Sequence, residues 1–251
     1  SFPGYYYRNF GEHYSNGSGC GNDLATERKM VRKFIVDSLV FWTKEYHIDG
    51  FRFDLMGLYD IETMNIIYKT LKEMNPSLIL YGEGWTGGDT PLEWEKRAMK
   101  HNAVHMPNVA FFSDDFRDTV KGNVFENHLK GYVNGAPNST ENAKEIVTGR
   151  TRHPQLPTLE KYAWADSPAQ VVNYVEAHDN LTLWDKLHYT NPTDSEEMRI
   201  RMDKLAAAFV FLSQGIPFIQ AGQDFLRSKP LPGGAFDHNS YNAPDIINSL
   251  K

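Results

Sequence analysis

The sequence predicts an α/β fold, in which a parallel sheet is covered by helices. Short apolar segments that suit strands alternate with segments whose apolar residues recur at intervals of three and four, the spacing of one helix face. The predicted strands are apolar over most of their length, as parallel strands buried on both faces are. The length of 251 residues fits one large domain or two small ones.

The composition is that of an ordinary globular chain, and it excludes some partners. Hydrophobic residues make up 41% of the chain, charged residues make up 23%, and the net charge is −6. Because there is no run of Lys and Arg, we expect no nucleic-acid partner and no membrane partner. No apolar run approaches the roughly 20 residues that span a bilayer. Cys20 is the only cysteine, which excludes an internal disulfide and leaves the compartment open.

Two helices are predicted after a glycine-rich loop over residues 1–25. The first helix, over residues 26–46, carries one apolar stripe. The members of that stripe are Val31, Ile35, Leu39, Trp42 and Tyr46. The second helix follows Asp60 as its N-cap and ends at Asn75-Pro76, with an apolar stripe from Ile61 to Met74.

Further helices are predicted later in the chain. Thr90-Pro91-Leu92-Glu93 forms a capping box with proline at the first helical position, which predicts a helix to about Lys100. Residues 116–170 are predicted to form an irregular segment with one short helix at about 140–148. A long helix is predicted over residues 195–213, with Met198, Met202, Leu205, Phe209 and Leu212 on one face.

Five short strands are predicted between these helices. They cover residues 49–54, 78–81, 109–112, 171–176 and 216–220.

The first predicted strand ends on a carboxylate, Asp54. Phe51 and Phe53 alternate with Arg52 and Asp54, so the phenylalanines point to one face and the charged pair to the other. Two charges on one face of a strand cost desolvation, which a fold tolerates mainly where the pair meets a cleft. We expect the arginine to keep Asp54 ionised. A buried structural ion pair is the alternative interpretation.

Polar residues follow two other strands in the same way. Glu83 comes after the second strand, and His178 and Asp179 come after the fourth. The carboxyl ends of parallel strands meet at one edge, so we expect Asp54, Glu83 and Asp179 to converge there. Three carboxylates suit glycoside hydrolysis, in which an ionised one attacks the anomeric carbon and a protonated one donates to the leaving oxygen.

The predicted roles follow from the surroundings of each carboxylate. Glu83 lies between two glycines and beside Trp85, so we expect it to be the one that keeps its proton. Asp179 with His178 would hold sugar hydroxyls. The indole of Trp85 offers a face for a neighbouring sugar.

Other acidic residues near strand ends have simpler interpretations. Asp114-Asp115 fit a helix cap, Glu176 serves structure or substrate, and Gln223-Asp224 fit an N-cap or a loop contact. A metal-dependent barrel hydrolase is the main competing enzyme class, although no pair of histidines has ligand spacing. A non-catalytic carbohydrate-binding fragment is the second alternative.

Three sequence blocks resemble those of the alpha-amylase family of glycoside hydrolases. They are Asp49-Gly50-Phe51-Arg52-Phe53-Asp54, Tyr81-Gly82-Glu83-Gly84-Trp85 and Val175-Glu176-Ala177-His178-Asp179-Asn180. Within that family the resemblance is strongest to type I pullulanases, the debranching enzymes, and it runs over nearly the whole chain. It includes Gly19-Cys20-Gly21-Asn22-Asp23 and Gly222-Gln223-Asp224-Phe225.

The resemblance implies a retaining hydrolase of α-1,6 branch linkages in pullulan, amylopectin or related α-glucans. It makes Asp54 the nucleophile, Glu83 the general acid/base and Asp179 the stabiliser of the transition state. The predicted substrate-binding residues are Arg52, Leu55, Trp85, His178 and Asn180. It implies no required cofactor, and calcium is possible but not indicated. Isoamylase-like activity on the same glucans stays open, as do secreted, periplasmic and cytoplasmic locations.

The same resemblance predicts part of a TIM (β/α)8 barrel, namely strands four to eight with their helices. An earlier family block, with an Asp and a His at the end of the third barrel strand, has no counterpart after Ser1. We therefore expect residues 1–251 to form one catalytic barrel domain that is incomplete on its N-terminal side. We also expect this piece alone to be nearly inactive and to self-associate through an open barrel edge.

Overall fold

The structure, a computed structural model, describes residues 4–250. The chain divides into two compact units. The first contains the residues up to Phe112 together with Tyr162–Gln170, and the second contains Ser113–Lys161 together with the residues from Val171 onward. Whether the two units make up one barrel domain stays a prediction.

The first unit alternates strands and helices as predicted. Its elements are β1 (Asn9–Phe10), β2 (His13–Tyr14), α1 (Lys29–Tyr46), β3 (Gly50–Phe53), α2 (Ile61–Met74), β4 (Ile79–Gly82) and β5 (Ala110–Phe112). β4 lies between β3 and β5 and is parallel to both. β1 and β2 form a small antiparallel pair inside the predicted loop, of which residues 1–3 lie outside the described residues.

The core of the first unit lies between its strands and the apolar faces of α1 and α2. Met64, Ile67 and Leu71 of α2 are fully buried, as their spacing predicts. Asp60 caps this helix by accepting a hydrogen bond from the Thr63 amide at 2.9 Å. The predicted stripe of α1 is correct only in its first half. Trp42 and Tyr46 are largely exposed, so the last turns of α1 carry apolar rings outside the core of this unit.

The helix predicted from Thr90 to Lys100 is absent from the structure. The segment instead forms two 3-10 helices, Trp94–Lys96 and Lys100–His105. Arg97 folds back and donates to the carbonyl oxygens of Leu92 at 2.8 Å and Thr90 at 2.9 Å. The Asn102 amide donates to the carbonyls of Trp94 and Arg97. Because side chains satisfy these carbonyls, the segment is stable without the backbone hydrogen bonds of an α-helix.

The second unit contains more helix than its sequence predicts. Its strands are β6 (Val171–Asn173) and β7 (Ile216–Pro217). Its helices are α3 (Asp114–Lys121), α4 (Thr140–Val147), α5 (Pro157–Tyr162), α6 (Leu183–Thr190), α7 (Glu196–Leu212) and α8 (Asp245–Asn248). The last residue of α5, Tyr162, is assigned to the first unit. β6 and β7 are parallel. α6 is missing from the prediction, and of α3 only a cap at Asp114-Asp115 is predicted. Ser113 and Thr182 cap these two helices with their side chains. The segment predicted to be irregular, residues 116–170, is irregular mainly over residues 122–139 and 148–156.

The buried face of α7 differs from the predicted one. Asp203, Ala206 and Val210 are buried, whereas Leu205 and Leu212 of the predicted face are exposed. The C-terminal half of this helix is apolar on all sides, so the spacing of its apolar residues does not select one face.

Several charged side chains are buried in the second unit. Lys121 and Glu176 are almost completely inaccessible, and Asp203 is 6% exposed. Burial lowers the pKa of Lys121 to about 7, although the charge of Glu176 opposes the shift. Burial also raises the pKa of Glu176, against hydrogen bonding from the Leu183 amide and the charge of Lys121. This unit therefore contains ionisable groups whose charge depends on pH near neutrality.

We expect Asp203→Asn to stabilise the protein progressively as the pH rises from 4 to 7. Burial and, secondly, the charge of Glu176 raise the pKa of Asp203 from 3.8 to about 7. The stability contributed by a carboxyl with a raised pKa is present below its unfolded pKa and is lost as the pH rises through its folded pKa. The free energy of unfolding that the wild-type protein loses in this way approaches about 1.4 kcal/mol for each pH unit. The measurement is the thermal midpoint of both proteins between pH 4 and pH 9.

The control for this prediction is Asp37→Asn, which changes a largely exposed carboxylate on α1. The midpoint difference between Asp203→Asn and wild type should grow up to about pH 7 and then level off. An equal difference at pH 4.5 and pH 8 would contradict the prediction.

No helix within residues 4–250 is long and apolar enough to cross a membrane.

Candidate active site

The carboxyl end of β3 carries the charged face that the sequence predicts. Phe53 is buried in the core and Phe51 packs against it, while Arg52 and Asp54 lie on the opposite side. Arg52 Nη1 donates to Asp54 Oδ1. The guanidinium also lies 5.8 Å from the centre of the Phe112 ring, which supports it from β5. The Asp54 side chain is 70% exposed, so its carboxylate is accessible for reaction.

Glu83 is held beside this pair at the end of β4. Arg52 Nη2 donates to Glu83 Oε1 at 2.7 Å, and the Leu55 amide donates to Glu83 Oε2 at 2.8 Å. The Glu83 side chain is 8% exposed, far less than that of Asp54. The structure therefore brings two of the three predicted catalytic carboxylates together.

Arg52 differs from its expected role in one respect. It pairs with both carboxylates instead of with Asp54 alone. The planar guanidinium has separate N–H groups and can bind two acceptors in fixed directions. A shared cation reduces the repulsion between two neighbouring carboxylates and fixes their relative orientation.

The turn after β3 explains how Leu55 reaches Glu83. Leu55 has a positive φ of 40°, and its amide donates to Glu83 Oε2. The following 3-10 helix, Met56–Leu58, is tied down because the Gly57 amide donates to the carbonyl oxygens of Glu83 and Trp85. Leu55, predicted to bind substrate, thus positions Glu83 through its backbone. Trp85 is half-buried beside this turn.

Glycine is required on β4 because the strands approach closely. A Cβ atom on Gly82 would lie 2.6 Å from the Phe53 carbonyl oxygen, nearer than atoms can approach without displacement. We expect Gly82→Ala to destabilise the protein by about 2 kcal/mol or more, because backbone must move. The measurement is the free energy of unfolding in denaturant.

Gly88→Ala is the matched control for that prediction. A Cβ on Gly88 would meet nothing closer than 3.6 Å, which is ordinary contact. We expect this variant to change the free energy of unfolding by less than about 1 kcal/mol. Equal destabilisation by the two variants would show that the space at Gly82 is not limiting.

The glycine-rich loop before α1 packs against the turns that carry these carboxylates. Gly17 lies against the Leu58 side chain and the Asp89 carbonyl. Asp23 is buried and accepts hydrogen bonds from the Gly17 and Ser18 amides, both at 2.8 Å. Burial opposes it, but hydrogen bonds from Ser15, Gly17 and Ser18 hold the pKa of Asp23 below its ordinary value. Hydrogen bonds and packing therefore fix the conformation of this loop beside the candidate site.

Tyr59 is a neighbour of Asp54 that the sequence reasoning missed. Burial and, secondly, the negative charge of Asp54 raise the pKa of Tyr59. Its ring packs edge-on against Phe53 at 5.5 Å. No feature of the sequence around Tyr59 indicates this proximity, because the intervening 3-10 turn sets it.

The remaining predicted residues belong to the second unit. His178, Asp179 and Asn180 lie in the loop after β6, which ends at Asn173 instead of at residue 176. His178 Nε2 and Asp179 Oδ1 are 3.5 Å apart, and both side chains are about 60% exposed. The two neighbouring side chains lie side by side because the backbone here is bent rather than extended. Asn180 has a positive φ of 63°.

The other acidic residues have structural positions. Asp114 and Asp115 occupy the first turn of α3, and Ser113 is the cap itself, accepting from the Phe116 amide at 3.2 Å. Glu176 is buried and accepts a hydrogen bond from the Leu183 amide. Gln223 is buried in a 3-10 helix, Gln223–Phe225. Within residues 4–250, no three or more His, Cys, Asp or Glu side chains are grouped so as to hold a metal ion.

Comparison with protein families identifies the family of this chain. The family described as "Alpha amylase, catalytic domain" matches residues 12–229. The chain belongs to the alpha-amylase family. The predicted resemblance to this family and to its type I pullulanases is confirmed, and so is the fold class, part of a (β/α)8 barrel.

Pullulanases are among the most similar relatives of this alpha-amylase family chain. The pullulanase of Bacillus subtilis (strain 168) is 41% identical over 249 residues, 99% of this chain and 33% of that protein. A pullulanase structure from Anoxybacillus sp. LM18-11 with maltotetraose has a TM-score of 0.89 and 48% identity, covering 99% of this chain and 34% of that one. A Paenibacillus barengoltzii pullulanase with maltohexaose and alpha-cyclodextrin has a TM-score of 0.91 and 45% identity, covering 99% and 37%. The chain spans about a third of the length of these relatives.

Proposed function

We propose that this chain carries the catalytic carboxylates of a retaining glycoside hydrolase that cleaves α-1,6 branch linkages in pullulan, amylopectin or related α-glucans. The observation that carries the proposal is the hydrogen bonding of Arg52 to both Asp54 and Glu83. Retaining enzymes need two carboxyl groups about 5–5.5 Å apart, close enough for one sugar carbon to react with both. The similarity to pullulanases with bound malto-oligosaccharides supports the substrate class.

Asp54 acts as the nucleophile in the first step. One of its oxygens forms a bond to the anomeric carbon while the bond from that carbon to the leaving oxygen breaks. Glu83 transfers its proton to the leaving oxygen, and one half of the glucan departs. The 70% exposure of the Asp54 side chain suits attack on a polymer, and the Glu83 side chain lies beside it at 8% exposure.

Water completes the reaction in the second step. Glu83, now ionised, takes a proton from water, and the water oxygen bonds to the anomeric carbon as the bond to Asp54 breaks. The two inversions together retain the α configuration. We propose that Asp179 stabilises the positive charge that develops on the sugar ring, and that His178 and Asn180 hold its hydroxyls. Trp85 offers an aromatic face to an adjacent sugar.

The proposed chemistry uses carboxyl groups and water and requires no cofactor. Self-association through the edge at β3 remains a prediction, and light scattering over a range of concentrations tests it.

Product analysis on pullulan, with the intact natural protein, tests the proposed function. Maltotriose as the main product is expected, because its units are joined in pullulan by α-1,6 bonds. Unbranched amylose, which has only α-1,4 bonds, is the control and should remain intact. Cleavage of amylose at a similar rate would refute debranching. Release of branches from amylopectin without attack on pullulan would favour the isoamylase-like alternative.

A further inference from the structure

A buried lysine that the proposed mechanism does not use donates hydrogen bonds to the loop that carries His178, Asp179 and Asn180. Lys229 is completely buried. Its ammonium donates to the Asn180 carbonyl at 2.8 Å, to the His178 carbonyl at 3.4 Å and to Ser240 Oγ at 3.2 Å. The two carbonyls flank Asp179 on either side. All three donor positions of the ammonium are thus satisfied, and two of them fix the backbone around one carboxylate.

The rest of the loop is fixed in the same manner. The buried ammonium of Lys121 donates to the Leu181 carbonyl at 3.1 Å. Glu176 accepts from the Leu183 amide at the other end of the segment. Because the carbonyls of His178, Asn180 and Leu181 are directed toward buried cations, the loop side chains at His178 and Asp179 are directed outward. The positive φ of Asn180 allows this reversal of the backbone.

Lys229 is itself held in place by a buried carboxylate. Asp185, at 0% exposure, accepts from the Lys229 amide at 2.9 Å and from the Ser228 hydroxyl. Asp185 lies in the first turn of α6, directly after the loop. The lysine backbone is therefore tied to the same helix that the loop enters, so the position of the ammonium relative to the loop is fixed.

We propose that Lys229 is a positioning residue for Asp179. Without the ammonium, the two carbonyls on either side of Asp179 lose their partner and the loop is free to adopt other conformations. The inference rests on the proposed function, in which Asp179 stabilises the transition state. Loss of that orientation lowers kcat and leaves KM nearly unchanged, because Asp179 acts mainly on the charge that develops in the transition state.

The test compares Lys229→Met with Lys186→Met in the intact natural protein. Lys186 is an equally buried lysine whose ammonium donates to the Asn123 and Glu126 carbonyls, outside the loop. Hydrolysis of pullulan by Lys229→Met should show kcat reduced about tenfold or more with KM within about threefold of wild type. For Lys186→Met, kcat should fall less than about threefold despite a similar loss of thermal midpoint.

A second variant covers the case in which Lys229→Met does not fold. Lys229→Gln keeps an amide donor for one carbonyl, and we expect kcat reduced about threefold or more at an unchanged KM. A folded Lys229 variant with the kcat of Lys186→Met would overturn the positioning role alone. A wild-type protein that hydrolyses no α-glucan would overturn the proposed function and, with it, this role.

Discussion

Asp54→Asn is expected to reduce kcat on pullulan by about a thousandfold or more while the fold survives. The amide cannot form the covalent intermediate, because it is a far weaker nucleophile than a carboxylate. The fold should survive because the Asp54 side chain is 70% exposed and its ion pair with Arg52 lies at the surface. Such exposed pairs contribute about 1 kcal/mol or less to stability. The measurements are kcat on pullulan and the thermal midpoint.

Asp37→Asn is the control for this variant. Asp37 is also an exposed, ion-paired carboxylate, bonded to Lys33 on α1. It should retain wild-type kcat, since it lies outside the candidate site. If Asp54→Asn kept more than about a tenth of the wild-type kcat, the assignment of Asp54 as the nucleophile would be wrong.

Glu83→Gln is expected to have the second large effect. The amide has no acidic proton for the leaving oxygen, and general acid catalysis contributes about a hundredfold to ten-thousandfold in rate. The reduction of kcat/KM in this variant should depend on the substrate. A glycoside whose leaving group departs without protonation, such as a glycosyl fluoride, should lose far less in its first step than pullulan does. Comparing kcat/KM on the two substrates separates the loss of the acid from a general disturbance of the site.

The control for Glu83→Gln is Glu145→Gln. Glu145 is also buried and paired with an arginine, Arg150, but it lies on α4 in the second unit. Both variants replace a buried carboxyl group next to an arginine by an amide, so both should lower the thermal midpoint. Only Glu83→Gln should discriminate between the substrates. An equal loss on pullulan and on the fluoride would argue against Glu83 as the acid.

Sequence reasoning succeeded where local pattern and local structure agree. The alternation at Phe51, Arg52, Phe53 and Asp54 gave the correct faces of β3, and the Asp60 cap gave the correct start of α2. It failed where side chains five to eight residues further along the chain satisfy the backbone. The capping box at Thr90 predicts a helix, but hydrogen bonds from Arg97 and Asn102 stabilise a different conformation. It failed also on α7, where apolar residues surround the helix and the core selects the face of Ala206 and Val210.

The sequence by itself determined the alternating strands and helices, the family and the chemical types at the strand ends. Those properties depend on residue order and on the period of the backbone, which are local. The tertiary structure alone decided that Arg52 is shared between Asp54 and Glu83, and that buried Lys229 holds the backbone on both sides of Asp179. The contact of Arg52 with Glu83 joins residues 31 positions apart, and those of Lys229 with the Asn180 and His178 carbonyls join residues 49 and 51 positions apart. A period of two or 3.6 residues carries no information about such contacts.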